Sequence, residues 1–439
     1  MSPQTRPTKS EELYARAQKV LPGGVSRNTV LRSPHPLYVD HASGCRVTDI
    51  EGVTRIDFAN NMASLIHGHA HPVVMDAVAA QLRRGTGYSL ATEVEVQYAE
   101  HLRSRSESFE KLRFVNSGTE AVMASVKAAR AYTGRPKIAK VEGAYHGGYD
   151  YAEVSQTSTP ANWGNAENPA SVPVAQGTPS KALEDVVVIP FNDPAKALAI
   201  LDHHRTEIAC VLVDLLPHRV GLLPAGADFV GMLREWTSRN DALLIYDEVI
   251  TFRSEYGGAQ QWYDIRPDIT ALGKIIGGGF PVGALAGRAE VMDVMNPLAS
   301  DVRFPHSGTF SANPVTMTAG LTAMELFDQQ AVNRVNELAQ RARLGIEEAV
   351  QRTGAEVCLS GGGSMLRLHM KPQLPTNYRE AFSLPDEQHR LGIMLDHLFE
   401  SGFIVINTCS IATSTVMGES EVDALVEAVS AGLRKVAAA

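Results

Sequence analysis

The sequence predicts an α/β fold: a large domain with a mostly parallel sheet flanked by helices, plus a smaller α+β domain built from N- and C-terminal segments. Three observations predict it. Between Lys111 and Gly287 short apolar strands alternate with helices, the pattern of buried parallel strands joined by crossovers. Outside that stretch, an N-terminal meander and a C-terminal run of strands and helices read as α+β. The chain has 439 residues, and single hydrophobic cores stop growing at about 250–300 residues. The expected divisions are 1–62 and 321–439 for the small domain and 63–320 for the large one.

The elements follow in order. Residues 10–20 read as a short helix with Ser10 as N-cap and acids in the first turn. Leu21-Pro22-Gly23-Gly24 breaks it. Residues 37–59 alternate apolar and polar around a glycine turn, as an antiparallel meander does. The run HGHAHP (67–72) leads into a helix that stops at Gly85. KLRFVNSG is a strand then a loop, TEAVMASVKAARAYTG a helix ending in Gly134, and PKIAKVEG, EIACVLVDLL and ALLIYDEV are further strands. ADFVGMLREWTSRN is the helix between the last two. The Pro/Gly/Ser/Asn-rich stretch 155–180 has no periodicity, and loops of that length are functional or mobile. Residues 315–351 carry long helical patterns. VCLSGGGSMLRLHM, a helix from Asp386 to Ser401, FIVIN and a last helix complete the α+β part.

Composition narrows the function classes. The net charge is −9, with 20% charged and 44% hydrophobic residues. That argues against nucleic acid or an anionic membrane as the main partner. No apolar run reaches the ~18–20 residues of a membrane span. No apolar stretch of signal-peptide type opens the chain, so a cytoplasmic location is expected. The four cysteines, Cys45, Cys210, Cys358 and Cys409, are far apart without a CxxC pair. Reduced thiols are expected, with no disulfide framework and no metal site.

Three places could carry chemistry. Asn116-Ser117-Gly118-Thr119-Glu120 joins a strand to a helix, and backbone N–H groups at a helix start make an anion site suited to phosphate. Asp247 follows the apolar run Ala242–Tyr246, so its carboxylate faces the crevice where open α/β sheets bind ligands. Lys274 sits among apolar residues before Gly277-Gly278-Gly279, where desolvation would make its amine nucleophilic. Taken singly, each has an ordinary alternative: a capped helix, a turn aspartate, a snorkelling surface lysine. Together they match the needs of pyridoxal 5'-phosphate: a lysine for the Schiff base, an acid for the pyridine nitrogen, and a phosphate cradle.

The motifs LPGG (21–24), HGHAHP (67–72), RFVNSGTEA (113–121), AYTGR (131–135), EGAYHG (142–147), YDEV (246–249), LGKIIGGGFPVGA (272–284) and SGTFSANP (307–314) extend this match. The chain resembles the class III aminotransferases of the fold-type I pyridoxal-phosphate group. Within them it is most similar to the glutamate-1-semialdehyde aminomutase-like branch, which includes β-amino acid and amine transaminases. The resemblance implies that Lys274 and Asp247 are catalytic, as Schiff-base lysine and ring-nitrogen partner. Gly118 and Thr119, with Ser117, would hold the phosphate. Tyr145 would stack on one ring face and Val249 pack on the other. Thr309 would reach the phosphate of a neighbouring subunit's cofactor, which implies a homodimer with shared sites.

Substrate recognition is where the resemblance loosens. Arg27 falls where β-amino acid transaminases of the branch carry a carboxylate-binding arginine, although a loop arginine is often simply exposed. Asp214-Leu215 stands where the family shows Glu-Pro. Arg219 stands where an asparagine is common, and either a substrate carboxylate or a nearby acid is its candidate partner. In 402–418 the transaminases carry an arginine and the aminomutase a glutamate. This chain has neither, with Cys409, Ser410 and Thr413 nearby. The expected reaction is amino transfer from a β-amino acid or primary amine to an α-keto acid, pyruvate or 2-oxoglutarate. An intramolecular aminomutase and a non-catalytic binding protein are the alternatives.

Overall fold

The computed structural model describes residues 7–438, so positions 1–6 of the polar N-terminal stretch lie outside the described residues. Seven strands form the central sheet. Their spatial order is Lys111–Val115, Gly283–Gly287, Ile269–Gly273, Leu243–Asp247, Ile208–Val213, Lys137–Val141 and Val186–Ile189. Only Gly283–Gly287 runs antiparallel to its neighbours. The pairs among the last five are parallel. Ile208–Val213 and Leu243–Asp247 are wholly buried, which is why they read as continuous apolar runs rather than alternating ones. Helix Gly118–Thr133 packs on the sheet through Ala121, Ala124 and Ala128. These small side chains let backbone approach backbone. Gly134, at φ +70°, ends the helix in a left-handed cap.

A second core joins distant parts of the chain. Cys45 and Phe58 pack with Leu338, Ile346, Leu366, Leu398 and Leu425. The N-terminal meander Val39–Ser43, Arg46–Asp49 and Thr54–Asp57 is antiparallel, as its alternation predicts. Its last strand then takes Phe403–Ile404 as a parallel partner. Cys358–Gly362, Met365–His369 and Ser410–Ala412 make a separate three-stranded sheet. Long helices Pro314–Leu326 and Gln329–Thr353 stand where the periodicity puts them. No helix among the described residues is long and apolar enough to cross a membrane.

Several local readings are corrected. The first helix is Lys9–Ala17, and its N-cap is Thr8, not Ser10. Thr8 accepts from the Glu11 amide while the Glu11 carboxylate accepts from the Thr8 amide. That reciprocal pair satisfies two orphan donors, where a Ser10 cap would satisfy one. FIVIN contributes only Phe403–Ile404 to a strand. The 155–180 stretch is tied down: the Tyr378 hydroxyl donates to Ser158 O, and Arg379 donates to the carbonyls of Trp163, Gly164 and Asn165.

Asn60, Asn61, Met62 and Ala63 all have positive φ, between +45° and +64°. Each left-handed residue costs roughly 1–2 kcal/mol, least for asparagine. Tertiary contacts hold the turn. The Asn60 amide donates to Asp57 Oδ1 at 3.0 Å, its side chain to Ala412 O at 2.7 Å, and Arg253 Nη1 to Ala63 O at 3.0 Å.

Candidate active site

The three motifs meet at the C-terminal edge of the parallel strands. Strand Leu243–Asp247 ends on Asp247, strand Ile269–Gly273 runs into Lys274, and strand Lys111–Val115 feeds the helix that starts at Gly118. Their closeness is visible at the glycines. A Cβ on Gly118 would lie 2.7 Å from Val249 Cγ1, and one on Gly273 would lie 3.1 Å from Val249 Cγ1 and 3.4 Å from Gly118 Cα. A Cβ on Gly147 would lie 2.5 Å from Thr119 Oγ1. The cradle is therefore shaped by residues without side chains, as a close backbone approach to phosphate requires.

Asp247 is buried, 4% exposed, and both its oxygens are engaged. Oδ1 accepts from the Val249 amide at 3.0 Å, and Oδ2 accepts from His146 Nδ1 at 2.8 Å. His146 is itself buried, and its Nε2 has no partner. Burial pulls the imidazole below its ordinary value, against the opposing pull of Asp247. His146 is the site residue that the motif reading missed. Its signal is its place in EGAYHG, but nothing local reveals a partner 101 positions away.

Lys274 opens a tight turn with φ +49°. Burial lowers its pKa, and the Asp247 and Asp214 carboxylates oppose the shift. Burial, then the Asp247 charge, pushes Asp214 well above the carboxylate range. Its Oδ1 accepts from the Leu216 amide at 2.8 Å. A half-buried lysine with a weakened hold on its proton is a competent nucleophile and base.

The remaining expected residues fall around this centre. Ser117 is the N-cap of its own helix, its Oγ accepting from the Glu120 amide at 3.1 Å. Thr119 Oγ1 accepts from the Gly148 amide at 3.3 Å. Tyr145 is 48% exposed at the mouth, and the Arg219 guanidinium lies 5.3 Å from its ring centroid. No acid pairs with Arg219 among the described residues. Arg27 is exposed and donates to Asn61 Oδ1 at 2.7 Å, on the left-handed turn. Asn61 borders a cavity of about 460 Å³ that Ile275, Gly279 and Phe280 also line, just past Lys274. Thr309 is exposed. A Cβ on its neighbour Gly308 would lie 3.7 Å from Asn116 Nδ2.

These residues fit pyridoxal phosphate. The glycine-walled helix start suits its phosphate, buried Asp247 its ring nitrogen, and Lys274 its aldehyde.

Comparison with known proteins agrees. Residues 29–433 match the model of the aminotransferase class-III family. The glutamate-1-semialdehyde 2,1-aminomutase of Methanothermobacter thermautotrophicus is 39% identical over 85% of this chain and 86% of its own length. An omega-transaminase from Sphaerobacter thermophilus superposes with TM-score 0.95 at 44% identity, covering 99% of this chain and 98% of that one. A transaminase structure with PLP bound gives 0.90 at 43% identity, covering 98% of each chain. A β-phenylalanine aminotransferase from Variovorax paradoxus gives 0.86 at 29%, covering 96% and 93%. The chain therefore belongs to the class III aminotransferases, pyridoxal-phosphate-dependent enzymes of fold type I.

Proposed function

We propose that this enzyme is a transaminase that takes an amino group from a β-amino acid or primary amine and passes it to an α-keto acid, pyruvate or 2-oxoglutarate. The observation that carries this reading is a pair of guanidinium groups without an acid partner among the described residues: Arg219 against Tyr145, and Arg27 bonded to Asn61. Carboxylated substrates need such groups. The names of the omega-transaminase and β-phenylalanine aminotransferase neighbours support the same reaction class.

When bound, pyridoxal phosphate supplies an aldehyde that captures amines and a ring that withdraws electrons from the attached carbon. The protein does the rest. Gly118 and Thr119 offer backbone N–H groups to the phosphate. Asp247, oriented by His146 and the Val249 amide, keeps a proton on the ring nitrogen. Val249 and Tyr145 would pack on the two faces of the ring. Lys274 removes the proton from the substrate Cα and returns one in the second half-reaction. Arg27, steadied by Asn61, orients the donor carboxylate. Thr309 serves the phosphate site of a second subunit in a homodimer.

The relatives named aminomutases favour a second reading, in which an amino group moves between two carbons of one skeleton. Against it stands the 402–418 segment, which contains no glutamate. Incubation with amine donors and pyruvate or 2-oxoglutarate tests both. Transamination predicts stoichiometric alanine or glutamate. Turnover of a single substrate with no acceptor would instead establish the isomerase. Lys274→Ala is expected to lose turnover by at least about a thousandfold while melting like the parent, as befits loss of nucleophile and base together. A Lys274→Ala protein with parental kcat would refute the assigned chemistry.

A further inference from the structure

Arg367 is a buried guanidinium with nothing negative to hold. It lies on strand Met365–His369 and is 8% exposed. Leu366 and Leu368 turn into the small core, so Arg367 points to the opposite face, against segment 214–222. Its Nη1 donates to His218 O at 3.0 Å, and its Nε has no partner. No carboxylate acts on it among the described residues.

Two other arginines are better satisfied. Arg253 is fully buried but donates to Ser364 Oγ and to the carbonyls of Ala63 and Thr413. Arg379 makes a two-pronged pair with Glu142. A desolvated guanidinium nitrogen without a partner is costly, and an arriving anion would satisfy it.

The surroundings say which anion. In register, Arg367 lies opposite Ser410. Ser410 Oγ is 2.9 Å from Thr408 Oγ1, which is 3.1 Å from His218 Nε2. This is the segment that carries no charge of its own between Gly402 and Gly418. His218 connects the group to the reaction centre. Burial pushes its pKa down to about 3, and the Arg367, Lys274 and Arg219 charges add to the effect. The imidazole stays neutral, its hydroxyl neighbours make the surroundings of Arg367 polar, and Arg219, next in sequence, lies 5.3 Å from the Tyr145 ring at the site.

We propose that Arg367, assisted by Arg219, binds the carboxylate of the α-keto acid acceptor, supplying from a neighbouring strand the charge that segment 402–418 lacks. The inference deepens the transaminase reading and rests on it. It makes Arg367 a specificity residue and leaves Arg27 for the donor.

The experiment has two arms on the holoenzyme. In the first, propionate and propionamide are titrated and thermal melting is followed, which needs no turnover. Propionate should raise the melting temperature of the parent saturably and propionamide should not. Arg367→Met should weaken the propionate response about tenfold or more, the scale of a lost charge-assisted hydrogen bond. In the second arm, KM is measured for pyruvate and for acetaldehyde. Arg367→Met should raise the pyruvate value at least about tenfold more than the acetaldehyde value, with kcat less affected. Arg367→Lys keeps the charge and loses the fork, so it covers the case of a Met variant that does not fold. Its shift should have the same direction and be smaller. Equal propionate binding by parent and variants, or equal KM changes for both acceptors, would overturn the proposal. A parent that binds propionate through Arg367 yet transfers no amino group would instead remove the transaminase reading.

Discussion

His146 shows what one residue adds that a motif leaves out. Lys274, Asp247 and Thr119 were legible because each stands at a strand end or helix start with an unusual neighbour. His146 was printed in EGAYHG, but its role is a bond to a carboxylate on another strand. Arg367 was hidden for the same reason, in a strand whose alternation looks like ordinary packing. Replacing His146 with Ala leaves the buried Asp247 oxygen unpaired, at a cost of about 1–3 kcal/mol. The expected result is a ten- to hundredfold lower kcat, on the order of that energy. The pH profile of the bound cofactor's visible band should shift as well, and His146→Gln should recover part of both. Parental kcat and an unshifted band in both variants would reduce His146 to packing.

At the scale of elements, the glycine-rich motifs do geometric work. Gly118 begins its helix against Val249, with no room for a methyl group. Gly118→Ala should destabilise the protein by about 1–3 kcal/mol through overpacking. It should also weaken cofactor binding. Val249→Ala as a second change should restore part of the stability, because the two sites touch. Urea unfolding of the single and double variants measures this, and strict additivity would contradict the contact. The same crowding explains a strand that periodicity did not reveal. Gly283–Gly287, GALAG, lacks β-branched residues yet pairs antiparallel with both neighbours, and a Cβ on Gly283 would meet Ser117 O at 2.0 Å, so only glycine fits there. The left-handed turn at Asn60–Ala63 was equally hidden. Asparagines hint at it, but Met62 and Ala63 do not, and only distant partners keep it in place.

For the whole molecule, the alternation of apolar strands and helices made the large sheet readable, since parallel strands must be buried on both faces. The small core was less readable because its parts come from opposite regions of the sequence. Its histidines, with others, set the response to acid. Burial pulls His67 to about 4 and His218 and His369 to about 3, against 6.5 for a free imidazole. The unfolded chain takes up protons that the fold refuses, so stability falls as pH drops from 6.5 toward 3. Glu248, pushed by burial to about 7, acts oppositely: its contribution is full below 4.5 and lost as pH rises through 7. His146, also lowered by burial, joins the three imidazoles, and Asp214, raised by burial, joins Glu248; four groups outweigh two, so the melting temperature should decline below about pH 6.5. A flat profile from pH 6.5 to 4 would contradict these buried imidazoles. Beyond the meander itself, Phe58 and Thr54–Asp57 find their partners at Phe403–Ile404 and in the helices beyond residue 338. During synthesis, at about 5–20 residues per second, this early hairpin leaves the ribosome with its apolar face uncovered. It waits tens of seconds or less for the chain that shields it, an interval in which a chaperone can decide the yield.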